Sequence, residues 1–170
     1  MKKFALILTI IMSLAVSKNA IAQETIVDVA VGNKDFSTLV TALKAANLVG
    51  ALQGDGPFTV FAPTNDAFAK IESKTLASLL ESKNQKALAN ILTYHVIPGK
   101  IAATDVVSAL EKGNGTVELK ALNGQVLTVV QKDGKIWLRD LNGNYSEIVA
   151  TDVMGSNGVI HVINKVVMPN

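Results

Sequence analysis

Apolar residues recur at helical spacing through most of the chain and at alternating positions in its last third, with the change near residue 115. Phe36, Leu39, Val40 and Leu43 mark one face of a helix predicted over residues 35–46 and closed by Asn47. Thr64 caps a second helix carrying Phe68 and Ile71, and residues 75–80 form a short third. Asn84 caps a fourth, with Leu88, Ile91 and Leu92 inward, which ends before Pro98-Gly99. A short helical turn is expected from Thr104 to Leu110, broken by Gly113-Asn114-Gly115. From Thr116 the period falls to two. Asn123-Gly124, Asp133-Gly134 and Asn142-Gly143 lie between strands predicted at 117–120, 126–131 and 135–139, the pattern of an antiparallel meander. Residues 145–153 add a strand, 155–158 turn the chain, and 159–167 close the sheet. Residues 58–62 are apolar on both faces, as a fully buried strand would be, and Pro63 stops them. Helices gathered in one half and strands in the other predict an α+β fold, with the strand at 58–62 joining the later sheet.

The N-terminus has a separate pattern. Lys2 and Lys3 precede an apolar run over 4–16, and Ala20-Ile21-Ala22 supplies the small residues of a cleavage site. A bacterial-type Sec signal peptide over 1–22, cut after Ala22, is expected, because an almost wholly apolar run of 13 residues falls short of the roughly 20 that a membrane span needs. The remainder, 23–170, is of a size to form one domain, secreted or periplasmic. Lys2, Lys3 and Lys18 leave with the leader, so 13 of the 16 basic residues remain against 14 acidic ones. A net charge near −1 gives no footprint for nucleic acid, and no membrane insertion is expected after cleavage. The chain has no cysteine, which excludes disulfides, thiol catalysis and thiolate metal sites.

Candidate chemistry is sparse. Tyr94-His95 places a phenol beside an imidazole able to titrate near neutrality, but at a helix end both side chains also suit backbone hydrogen bonds. His161 stands in an alternating strand with Val159 and Ile163 on its face, the setting of a hydrogen-bonded core histidine. Thr64, Asn65 and Asp66 suit a helix start better than a catalytic centre. No GxSxG elbow, phosphate loop, HExxH spacing or paired-carboxylate motif occurs, so no enzyme activity, metal or cofactor is expected.

Three segments carry a family resemblance: FTVFAPTNDAF at 58–68, LTYHVIP at 92–98 and NGVIHVINKVVMP at 157–169. In this order they resemble the first homology box, the central tyrosine-histidine segment and the second box of a fasciclin (FAS1) domain, and the similarity runs from Thr25 to Pro169. The resemblance implies a β-wedge or sandwich of about seven strands, with helices packed along one side and the two box strands close together. It further implies adhesion to a cell-surface or matrix protein or glycan, by a module expected to be monomeric. Asp152-Val153 stands where animal matrix members carry an Asp-Ile dipeptide associated with integrin recognition, which makes these two residues, with Tyr94 and His95, the candidates for the interaction. Asp152 also suits capping the turn through Gly155, with Val153 or Met154 packed inward. The alternative function is carriage of a small apolar ligand, a pigment or lipid, in a groove of the same fold.

Overall fold

The computed structural model describes residues 24–170. The expected leader falls on residues 1–23 and lies outside the described residues.

The first helix, α1 (Ile26–Gly32), is absent from the sequence expectation because its β-branched residues carry no clear helical stripe. A capping box starts it: Thr25 Oγ1 accepts from the Asp28 amide, and the Asp28 carboxylate accepts from the Thr25 amide. The helix expected at 35–46 opens as a 3₁₀ turn at Lys34–Phe36 and continues as α2 (Ser37–Ala45). Asn47 follows in the left-handed region at φ 58°, a helix-ending conformation that asparagine tolerates. A single unexpected turn, α3 (Val49–Leu52), precedes the buried strand β1 (Phe58–Pro63). Next come α4 (Asn65–Ala69), α5 (Ser73–Leu79) and α6 (Gln85–Tyr94). Asn84 does not cap α6: its amide nitrogen donates to the Ser78 carbonyl at 2.7 Å, tying the end of α5 to the turn that follows. Strand β2 (Val96–Pro98) is also unexpected, three residues being too few to show a period. Helix α7 (Ala103–Lys112) starts one residue before Thr104, so that threonine is not its cap.

The remaining strands are β3 (Thr116–Lys120), β4 (Val126–Lys132), β5 (Lys135–Arg139), β6 (Tyr145–Gly155) and β7 (Gly158–Ile163). The sheet order is β2-β1-β7-β6-β5-β4-β3, antiparallel throughout except for the parallel pair β1–β7. Thus β7 does not close the sheet as its place in the sequence suggests; it lies between β1 and β6, and the edges are β2 and β3. The eleven-residue β6 pairs with β5 at its start and with β7 further on, and its register slips twice between Ile148 and Val153. At the two edges the Leu122 amide donates to the Val96 carbonyl at 2.7 Å, so the sheet bends back on itself.

Two apolar clusters result. Val60, Ala62 and Ile160 face one formed with α1, α2 and α6; Phe61 and Ile163 face another that includes Leu127, Val129, Leu138 and, from α7, Val106 and Leu110. Most helices therefore cover one side, while α7 serves the second cluster. Because β1 and β7 are buried on both faces, neither shows the alternation of a half-exposed strand.

Gly158 stands where β1 and β7 come closest: a Cβ there would lie 2.2 Å from the Phe58 carbonyl oxygen, backbone that has no room to yield. Gly158→Ala is expected to cost at least about 2 kcal/mol, read as a lower urea midpoint at unchanged slope. Gly50→Ala, where a Cβ meets nothing within 4 Å, is the helical control and should leave the midpoint unchanged or raise it.

Candidate functional site

The two box strands lie side by side in register, Phe58 opposite Gly158 through Pro63 opposite Ile163. At the end of β1, Thr64 Oγ1 accepts from the Ala67 amide and caps α4. Asn65 serves a different helix. Its Oδ1 accepts from the Thr38 amide at 2.9 Å and its Nδ2 donates to the Lys34 carbonyl at 2.9 Å, closing the start of α2 across 27 residues of sequence. Asp66 is exposed in the first turn of α4, where a carboxylate opposes the positive end of the helix dipole.

Asn157, in sequence a turn residue, performs the same service before β7. Its Oδ1 accepts from the Ile26 amide at 2.9 Å, and its Nδ2 donates to the Leu52 and Gly54 carbonyls at 2.8 Å each. One buried side chain thus joins the β6–β7 turn to the start of α1 and the end of α3. The only hint in sequence is an Asn-Gly pair opening an apolar strand, which reads equally well as an ordinary hairpin.

His161 is 1% exposed and packs beside Phe61, with ring centroids 5.7 Å apart. Its Nδ1 accepts from the Asp152 amide at 3.4 Å, and the proton this leaves on Nε2 is donated to the Ile101 carbonyl at 2.8 Å. Asp152 sits in the β6 irregularity at φ 59°. Its carboxylate does not cap the turn through Gly155; it accepts from the Ala103 amide at 2.9 Å and so closes the start of α7. Val153 packs against the first cluster, while Met154 points outward at 49% exposure.

Tyr94 and His95 are both buried. The Tyr94 hydroxyl donates to the Val126 carbonyl at 2.8 Å, and burial, reinforced by the Asp140 carboxylate, raises its pKa. His95 Nδ1 donates to the Ile91 carbonyl at 2.8 Å, while Nε2 accepts from the Val167 amide at 3.2 Å. This pattern admits only the neutral ring, and burial holds its pKa down at about 4 against the ordinary 6.5. The bond to Ile91 opposes that shift without reversing it. Both histidines therefore spend their ring nitrogens on backbone, and neither offers a proton-transfer group to solvent. Among the described residues no group of three or more histidine, aspartate or glutamate side chains converges as a metal site. The apolar cavity between α1, α2 and the sheet, lined by Leu39, Leu43, Val60 and Ile160 among others, is about 20 Å³.

These geometries yield two tests. Because His95 is less readily protonated folded than unfolded, its contribution to stability is complete above about pH 6.5 and is lost as the pH falls toward 4. The expected loss between pH 7.5 and pH 4 is about 3 kcal/mol, at 1.36 kcal/mol per pH unit. His95→Gln, although less stable at neutral pH, should lose correspondingly less; exposed carboxylates such as Asp28 titrate in both proteins and cancel. Equal losses in the two urea series would remove His95 as the source. For Asp152, Asp152→Asn keeps an acceptor and a side chain suited to positive φ, and should change stability by less than about 0.5 kcal/mol. Asp152→Ala, which forfeits both, should lose about 2 kcal/mol. Identical melting of the two variants would exclude the cap.

The comparisons with known proteins agree with this geometry. Residues 34–169 match the Fasciclin domain family. The chain is 52% identical over 145 residues to Protein sll1483 of Synechocystis sp., an alignment covering 85% of this chain and 73% of that one. It is 39% identical over 145 residues to the transforming growth factor-beta-induced protein ig-h3 of Sus scrofa, covering 85% of this chain but 19% of that much longer protein. In structure it is similar, with a TM-score of 0.73 at 20% identity, to a FAS1 domain pair from the insect cell adhesion molecule fasciclin I, covering 84% of this chain and 50% of the pair. With seven strands, two adjacent box strands and helices laid over them, the chain belongs to the fasciclin domain family.

Proposed function

We propose that this protein is a secreted or periplasmic adhesion module that binds a cell-surface or matrix protein or glycan, working as the exported chain 23–170. One observation carries the reading: most polar side chains of the family segments, and Asp152 beside the second box, are consumed inside the scaffold, so recognition is left to the surface. Asn65, Asp152, Asn157, His95 and His161 all bond to backbone of other elements. Tyr94 and His95 then support adhesion from within, by holding α6 to β4 and to the C-terminal segment, and Asp152 with Val153 holds the β6 irregularity on which Met154 is displayed.

The carrier reading lacks a comparable support. Ligand pockets run to about 300–1,000 Å³ and are largely apolar. The cavity lined wholly by apolar side chains, at about 20 Å³, has room for little more than one water, and the larger clefts, of up to about 340 Å³, are open and mix polar with apolar lining. No helix among the described residues is long and apolar enough to cross a membrane.

The test is a binding panel for the purified protein: immobilised matrix proteins, neutral and acidic polysaccharides, and an apolar dye with a carotenoid as carrier probes. Saturable binding to a macromolecule without stoichiometric uptake of either apolar probe is expected. Stoichiometric, submicromolar uptake of the carotenoid with no macromolecular binding would overturn the adhesion reading. His95→Gln should lose stability and adhesion together; lost adhesion at undiminished stability would place His95 in the contact itself.

A further inference from the structure

The four-stranded half of the sheet, β3 to β6, has one face on the second apolar cluster and one toward solvent. Register assigns the residues of each. Val117, Val129, Leu138 and Ser146 form an inward row. The next row lies on the opposite face: Glu118 opposite Thr128, Thr128 opposite Arg139, and Arg139 opposite Tyr145, with Thr128 buried between its exposed neighbours. Beside it runs a second outward row of Thr116, Val130, Trp137 and Glu147. The chain's single arginine and single tryptophan and one of its two tyrosines therefore share one window of the exposed face. Arg139 is not needed for the fold: it is exposed and has no side-chain hydrogen bond or ion pair among the described residues. Tyr145, its cross-strand partner, is 43% exposed and makes no side-chain hydrogen bond, whereas Tyr94 is fully buried and bonded.

A cleft of about 340 Å³ opens over the first row. Glu118, Thr128 and Arg139 line it, Leu141 and Gly143 stand at its rim, and Tyr145 adjoins Arg139. The Asp140 carboxylate also reaches this cleft, but its oxygens accept from the amides of Asn142, Asn144 and Met168, so it is a buried turn cap. Charge on the face is biased. Over the whole face Lys120, Lys132, Lys135 and Arg139 oppose Glu118 and Glu147, with Glu147 already paired with Lys135 at 2.7 Å, while in the cleft itself Arg139 stands with Glu118 and the buried Asp140. This excess of free cations lies on a protein whose net charge without its leader is close to zero.

We propose that this face, through Arg139, Tyr145 and the cleft between them and Glu118, binds an acidic polysaccharide bearing uronate carboxylates. The guanidinium offers a planar fork to a carboxylate, the exposed tyrosine ring offers an apolar face to a sugar ring, and Glu118 accepts from hydroxyls. A protein partner suits the face less well. Arginine, tyrosine and tryptophan are enriched at protein interfaces too, but there lysine and glutamate are depleted from the core, whereas here they alternate with the aromatic residues instead of ringing an apolar centre. The proposal rests on the adhesion reading and names its contact surface.

Trp137, on the neighbouring row, is a built-in reporter, since no other tryptophan contributes to the emission. Titration of the purified protein with polygalacturonate and alginate oligosaccharides should change that emission saturably, with affinity falling as salt rises, and dextran of equal length should not change it. Arg139→Gln should weaken binding at least tenfold, Arg139→Lys should fall between it and the parent because charge survives without the fork, and Tyr145→Ala should weaken it several-fold. All three replace exposed side chains, so melting temperatures within about 2 °C of the parent are expected. Unchanged uronate affinity in Arg139→Gln overturns the proposal, as does equal binding of dextran. Capture of a matrix protein or a neutral glycan without uronate binding overturns it too, yet leaves the adhesion reading standing. A protein that binds no macromolecule at all overturns both.

Discussion

The parallel contact between β1 and β7 is the constraint from which the rest of the fold follows. Parallel neighbours need a long crossover, and here 94 residues separate Pro63 from Gly158, carrying three helices, the edge strand β2, α7 and the meander before the chain returns to pair with its early strand. Both strands are then buried on both faces, so the pair acts as a partition with an apolar cluster on either side. Gly158 allows the strands to meet at their first rung, where any side chain would strike the Phe58 backbone.

A partition of this kind leaves helix starts facing strand ends, where backbone amides have no helical partner and water is scarce. The fold meets that need with short polar side chains from elsewhere in the chain. Asn65 closes α2, Asp152 closes α7 and Asn157 closes α1, each by accepting from an amide at 2.9 Å. Two of these three lie in or beside the β6–β7 hairpin, which therefore organises both the first helix and the last. His161 joins the same arrangement, because its ring receives the Asp152 amide and so helps to hold the irregular backbone that aims the Asp152 carboxylate at α7.

What the sequence made legible was whatever depends on neighbours in sequence. The Asn-Gly and Asp-Gly pairs located the meander because positive-φ turns select those residues locally, and Gly124, Gly134 and Gly143 do adopt positive φ. The α+β class, the burial of both box strands and the capping of α4 by Thr64 were readable for the same reason. Elements sustained by distant partners were not. Helix α1 depends on Asn157 as well as on its own capping box, β2 exists because β1 lies beside it, and the start of α7 is closed from β6. Asn84 and Thr104 have the right chemistry for caps, but nothing local reveals that Asn84 is engaged by Ser78 or that α7 begins one residue before Thr104. Asp152 has the local chemistry of a contact or a turn cap; the amide that holds it lies 49 residues away, beyond any local signal.

This division between local and distant also bears on where recognition resides. The segments that identify the family are the ones whose polar groups are most fully engaged, and an engaged, buried group recognises nothing directly. Similarity in those segments therefore reports a shared scaffold. On the proposed reading, partner choice falls to outward positions of the meander strands β3 to β6, on which no apolar cluster or helix start depends. In β5 the division is visible residue by residue: Leu138 is fully buried in the second cluster, while its neighbours Trp137 and Arg139 point the other way, held in place by a register that the inward residues impose. The buried row thus sets the geometry of the exposed one, and a rigid core can present a flat, charged and partly aromatic surface without contributing any polar group of its own to the contact.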